Sequence, residues 1–167
     1  MKVNKFKVLN LQSPYIEKVI AYCCKIKKTI VQQDEKEKNL RKVLNLGHTF
    51  AHAYEAALGY SKKLNHGEAV ILGIKSAAKF SMENKFLTKK NYNKIQSHIN
   101  HLNLPNNLNK FFSKKNINLI LNFMKSDKKN NSEDINLILL KDIGKPIINI
   151  NFKIEKIRKF FKNELLN

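Results

Sequence analysis

Three of the five histidines of this chain fall within residues 41–68, which read RKVLNLGHTFAHAYEAALGYSKKLNHGE. His48 and His52 stand four apart in a stretch of helical character, so at 3.6 residues per turn they share one face. Apolar Phe50, Ala53, Ala56, Ala57 and Leu58 surround them, and His66 follows a short polar break at residues 61–65. Histidine is the commonest metal ligand and the usual acid or base near neutral pH. A His-x3-His pair plus a third histidine returned by a helical hairpin can hold a metal ion. Two half-buried, hydrogen-bonded histidines without any ligand would read the same way. The glutamate inside the HExxH metalloprotease motif is missing, so that chemistry is not indicated.

Several elements must position these groups. Pro14 follows Ser13 and suits a helix start. Apolar residues then recur at Ile16, Val19, Ile20, Cys23, Ile26 and Ile30, which predicts a helix over 15–33 behind a basic, irregular segment 1–13. A charged break spans 34–39. His66-Gly67-Glu68 opens a second apolar helix over 69–80, in which Gly73 is expected to admit another helix at close range. Thr88 is a candidate N-cap for a further helix ended by Pro105. Residues 113–126 form another helix, the turn signal at 142–146 between two apolar runs predicts a β-hairpin, and 152–166 close the chain as a helix. The expected architecture is mainly α with one small hairpin, residues 14–167 forming one domain.

Composition narrows the function classes. The net charge of +19 invites a nucleic-acid reading. Yet only Arg41 and Arg158 among 32 basic residues are arginine, and the lysines are spread along the whole chain. Abundant lysine, asparagine and isoleucine indicate AT-rich codon usage, so no nucleic-acid partner is expected. No apolar run reaches the roughly 18 residues a membrane span needs, and no signal-peptide core is visible. The expected location is the cytoplasm, with no membrane partner. Adjacent Cys23 and Cys24 suit neither a zinc ribbon nor a disulfide framework.

The run LRKVLNLGHTFAHAYEAALGY followed by HGEAVILGI resembles the signature of the 3-dehydroquinate synthase family, roughly LR-x2-LN-x-GHT-x-(G)HA-x-E and then HGEAV-x-x-G. This chain departs at Ala51, where a second glycine is usual. The resemblance implies the helical C-terminal, metal- and substrate-binding domain of that fold. It implies the shikimate-pathway lyase reaction, in which 3-deoxy-D-arabino-heptulosonate 7-phosphate cyclises to 3-dehydroquinate with loss of phosphate. By the motif match, His48 and His66 are ligands of a divalent metal, Zn or Co, and His52 is an acid/base or phosphate-contacting residue. Lys27 matches a substrate-reaching lysine and is expected, with His52, among the catalytic residues. Arg41 and Asn45 match contacts to the substrate's anionic groups and hydroxyls. Asp127-Lys128-Lys129 matches a motif that brings a lysine, Lys128 or Lys129, to the phosphate.

The family also has an N-terminal domain that binds NAD through a glycine-rich turn, and a junction motif supplying a glutamate as third metal ligand. Neither is found in these 167 residues. The expectation is therefore a chain that is truncated, split or decayed, inactive alone, and dependent on an NAD-binding N-terminal half or on homo-oligomerisation. A related sugar-phosphate cyclase, or a non-catalytic relic that only binds a partner, would carry the same histidines. A cut at the domain junction is expected to expose apolar side chains near the histidines, with Phe50, Leu46 and Leu64 as candidates, and to promote self-association.

Overall fold

The computed structural model describes residues 5–101, 105–126 and 134–166. Two compact units divide the chain, Met1–Leu44 and Asn45–Asn167.

The smaller unit contains α1 (Lys5–Leu9), within the segment expected to be irregular, and α2 (Tyr15–Gln33), on the bounds that its apolar period predicts. Lys7 donates to the Tyr15 hydroxyl at 3.0 Å. No side chain of the 19-residue α2 is buried, and Ile20, Tyr22 and Ile26 are exposed. Asp34 ends the helix. Its carboxylate accepts from the backbone amides of Lys38, Asn39 and Arg41 at 2.9, 2.8 and 3.0 Å. These three amides, with the Arg41 charge adding to them, hold the Asp34 pKa below the ordinary carboxylate range. The charged break at 34–39 is thus a built turn, and it leads into a 3-10 helix, Leu40–Asn45.

The larger unit is where the core lies. Its helices are α3 (His48–Ala57), α4 (His66–Glu83), α5 (Lys89–Asn100), α6 (Ile117–Ser126) and α7 (Ile154–Glu164), with one antiparallel hairpin of β1 (Asp134–Asp142) and β2 (Lys145–Lys153). Three of the starts have a local cause. Asn65 precedes α4, and its amide donates to Glu68 Oε2 at 2.9 Å, half of a capping box. Thr88 caps α5 by accepting from the Asn91 amide at 3.2 Å. Ser113 and Asn116 cap a short 3-10 turn that leads into α6. The hairpin turns at Ile143-Gly144, where Gly144 takes a φ of 75° that glycine adopts without strain.

α3 packs on α4 and α6, α4 also meets β1 and α5, and α6 meets α7. Phe50, Tyr54, Phe80, Phe160 and Phe161 fill the centre, with Phe50 ring centroids 6.1 Å from those of Phe160 and Phe161. The expectation that Phe50 and Leu64 would be exposed is wrong: they are 1% and 3% exposed. Phe50 lies two residues after His48, about 200° around the helix, and so faces inward. Leu64 and Ala69 occupy the two positions of a hydrophobic staple around the start of α4 and both belong to the core. Leu46 is partly buried against the same core.

Buried Ser81 joins α4 to the hairpin. Its hydroxyl donates to the Ala77 carbonyl at 2.6 Å and accepts from the Leu140 amide at 3.0 Å. The strand register shifts between Leu140 and Asp142, and Ser81 serves the Leu140 amide at that irregularity. Ser81→Ala should cost about 1–3 kcal/mol, the penalty for a buried donor left unpaired. Urea denaturation checks this; an unchanged midpoint would show that another acceptor takes over the amide.

Among the described residues no helix is long and apolar enough to cross a membrane.

Candidate metal and substrate site

The loop before α3 fixes where the histidines stand. Gly47 has a φ of 82°, and a Cβ there would sit 2.5 Å from the Ile74 backbone nitrogen. On the facing helix, a Cβ on Gly73 would sit 2.2 Å from the Gly47 carbonyl oxygen and 3.0 Å from the Ala51 nitrogen. The start of α3 therefore packs backbone to backbone against the middle of α4, as expected for Gly73. Ala51, at the position where the family usually has glycine, is fully buried at this contact. A second tie is the hydrogen bond between the Tyr54 and Ser76 hydroxyls at 2.8 Å. Burial pushes the Tyr54 pKa well up, against the pull of that bond.

With α3 and α4 locked this way, the three histidines come together. The His48 and His52 ring centroids are 5.5 Å apart, His48 and His66 5.8 Å, and His52 and His66 6.2 Å. Zn–N bonds are ~2.0–2.1 Å, so two imidazoles that share an ion have ring centres no more than about 6.4 Å apart. All three pairs meet that bound. His48 is half-buried, and its Nδ1 is shut off from solvent. Burial holds its pKa below the ordinary histidine value. The Leu46 backbone opposes that shift, the His52 and His66 rings reinforce it, and Glu55 opposes it. A ring kept neutral offers a lone pair to a cation, which is the form a ligand must take.

The donor set fits an ion in part. Among the described residues, no group of three or more His, Cys, Asp and Glu is arranged to hold a metal. The nitrogens present can fill part of a four-coordinate shell and leave the remainder to other ligands.

Glu55 also belongs to this cluster, a residue to which the sequence reading gave no role. Both its carboxylate oxygens lie 3.1 Å from His66 Nδ1. Glu55 follows His48 by seven residues, about 20° off the same helical stripe, and it is the glutamate that ends the HA-x-E pattern; both were available signals.

The other expected site residues lie as follows. Asn45 is half-buried at the end of the 3-10 helix and belongs to the larger unit. Lys27 and Arg41 belong to the smaller one. Lys27 is exposed on α2. Arg41 is half-buried; its amide donates to Asp34, and its guanidinium donates to the Glu35 carbonyl at 2.6 Å. That carbonyl bond and the Asp34 turn give Arg41 a defined seat. Lys128 and Lys129 lie outside the described residues.

Comparison with known proteins bears on the whole arrangement. The 3-dehydroquinate synthase from Pelagibacter ubique is 56% identical over 162 residues, covering 97% of this chain and 44% of its own length. The 3-dehydroquinate synthase from Thermoanaerobacter pseudethanolicus is 36% identical over 159 residues, covering 95% of this chain and 43% of its own. The chain thus spans less than half the length of these relatives. Among solved structures, a 2-deoxy-scyllo-inosose synthase complexed with carbaglucose-6-phosphate, NAD+ and Co2+ superposes with a TM-score of 0.74 at 22% identity, over 89% of this chain and 42% of that one. A 2-epi-5-epi-valiolone synthase from Streptomyces hygroscopicus with NAD+ and Zn2+ bound gives 0.74 at 18% identity, over 96% and 44%. These two carry the fold, and the expected mainly helical architecture with one hairpin is the one they share. The family model for the 3-dehydroquinate synthase C-terminal region matches residues 1–130. Its match takes in the glycine contact, the histidine cluster and the Asp34 turn together, and the chain belongs to the 3-dehydroquinate synthase C-terminal family.

Proposed function

We propose that this chain supplies the metal- and substrate-binding part of a 3-dehydroquinate synthase, the lyase that cyclises 3-deoxy-D-arabino-heptulosonate 7-phosphate with loss of phosphate. The observation that carries the reading is the convergence of His48, His52 and His66 across the α3–α4 contact, in a chain 56% identical to a relative of that name. His48 and His66 would hold a divalent ion, Zn or Co, with a third protein ligand from outside these residues. The ion, when bound, supplies Lewis-acid polarisation of a substrate oxygen.

The chain's own residues do the rest. His52 exchanges a proton with the substrate or contacts its phosphate. Arg41 pairs with an anionic group through its planar fork, and Asn45 offers a donor and an acceptor to hydroxyls. Lys27 and either Lys128 or Lys129 supply point charges to carboxylate and phosphate. Hydride needs NAD as its acceptor, bound by a region these 167 residues do not contain. The reading includes a cytoplasmic location, where exposed thiols such as Cys23 and Cys24 stay reduced.

The test is complementation in vitro. The purified chain with NAD, Zn2+ or Co2+ and substrate should release no phosphate. Joined by the nucleotide-binding N-terminal part of a 3-dehydroquinate synthase, it should yield phosphate and 3-dehydroquinate in equal amounts. A different carbocycle would assign it to a related cyclase, and no product from the pair would sink the proposal.

A further inference from the structure

We infer that Glu55 is the positioning residue of His66, holding its ring as the Nδ1–H tautomer and leaving the Nε2 lone pair for a ligand. The inference starts from hydrogen-bond chemistry. An ionised carboxylate only accepts, so a ring nitrogen 3.1 Å from both Glu55 oxygens must be the protonated one. In a neutral imidazole the other nitrogen then carries the lone pair. On this geometry Nε2 is the His66 nitrogen left for a ligand.

Burial says which partner holds which. The Glu55 side chain is 13% exposed and the His66 side chain 60%. Glu55 sits on α3, the helix seated by the Gly47–Gly73 contact, whereas His66 is the first residue of α4 and stands in solvent. An exposed ring at a helix start samples rotamers and both tautomers unless something fixes it. The anchored carboxylate is that fixture, with both its oxygens facing the one ring N–H. Ligating histidines in metal sites characteristically donate their second ring N–H to such a carboxylate, and its loss costs 10–100-fold in metal affinity. Glu55 lies on the His48 and His52 stripe of α3, so one helix face carries two of the rings and the group that aims the third. The metal end of this inference rests on the function proposed above; the tautomer end does not.

The experiment therefore reads both. Long-range 1H–15N spectra of the full chain without metal, at about pH 8.5 and so two units above the ordinary histidine value, report the tautomer of each of the five histidines. His66→Ala assigns its signal. Wild-type His66 should show Nδ1–H. Glu55→Ala should return it to the Nε2–H form that free histidine prefers and lower Zn2+ or Co2+ affinity about 10–100-fold. Glu55→Gln, which keeps an acceptor oxygen and nearly the same shape, should hold the Nδ1–H form and lose at most severalfold. This variant guards against a folding defect in Glu55→Ala. An Nε2–H wild-type His66, or a tautomer indifferent to Glu55→Ala, overturns the inference. So does a tautomer change that leaves metal affinity unmoved in a chain that binds the ion. A wild-type chain with the Nδ1–H form that binds no ion would count against the proposed function and support the Glu55 assignment.

Discussion

His48→Ala and His66→Ala should each drop Zn2+ or Co2+ affinity by more than about 100-fold, beyond what loss of a residue behind a ligand costs. His52→Ala should leave it within severalfold and instead cut turnover of the complemented enzyme by about 10²–10⁴-fold, the range for a positioned acid or base. The ring geometry alone does not separate the three histidines, since every pair lies within 6.2 Å. What separates them is the split between binding and turnover. Calorimetric titration of the chain gives the first quantity, and phosphate release by the complemented pair gives the second. His66 is 60% exposed, so its removal leaves the fold intact. His48 is half-buried, and circular dichroism guards that variant. Equal loss of metal affinity in all three variants would mean a three-nitrogen site, and the acid/base role of His52 would fall.

Gly73→Ala should destabilise the larger unit by about 3 kcal/mol, the top of the range for overpacking. Its new methyl would meet Gly47 O at 2.2 Å and Ala51 N at 3.0 Å, both backbone atoms that no rotamer change can move. The helices must part, and α3 carries His48 one residue beyond Gly47, so the His48–His66 spacing should open with them. Gly67→Ala is the matched control on the same helix, because nothing lies within 4 Å of a Cβ there. It should be neutral or gain up to about 1 kcal/mol from alanine's better helix propensity. Urea unfolding of the two variants makes the comparison. If they unfold at the same midpoint, the glycine contact does not hold the site together.

How far the sequence foretells this structure depends on the range of the forces involved. α2 was legible to the residue because Pro14 and a 3.6-residue apolar period are local signals. So were the Thr88 cap, the hairpin turn and the return of His66 to its two predecessors, since a short polar break between helices forces an antiparallel neighbour. Gly73 was legible as a close-approach position, but its partner Gly47 was not, because pairing two glycines needs the tertiary contact. Phe50 was misjudged by its nearness in sequence to the histidines, whereas rotation around the helix, not sequence distance, decides which way it faces. Leu64 was misjudged in the same way, its role being to seat the start of α4. Glu55 stands in the HA-x-E pattern, but its role is not legible there because its partner lies eleven residues on, in another helix.

A helix of nineteen residues that buries no side chain is held mostly by its own backbone bonds, with the Lys7–Tyr15 contact at one end and the Asp34 turn at the other. In proteins most helical stability comes from tertiary packing of an apolar face. Amides of α2 should thus exchange with deuterium through frequent local opening, while those of α4 beneath the aromatic core wait for the larger unit to unfold. Lys27 rides on the part that opens. An anion gripped by Lys27 has to still that helix as it binds, and some of its gross affinity goes into the ordering. Truncating Lys27 would then be felt in how long the ligand stays as well as in the lost charge, and slowed exchange along α2 would be the trace of a bound ligand.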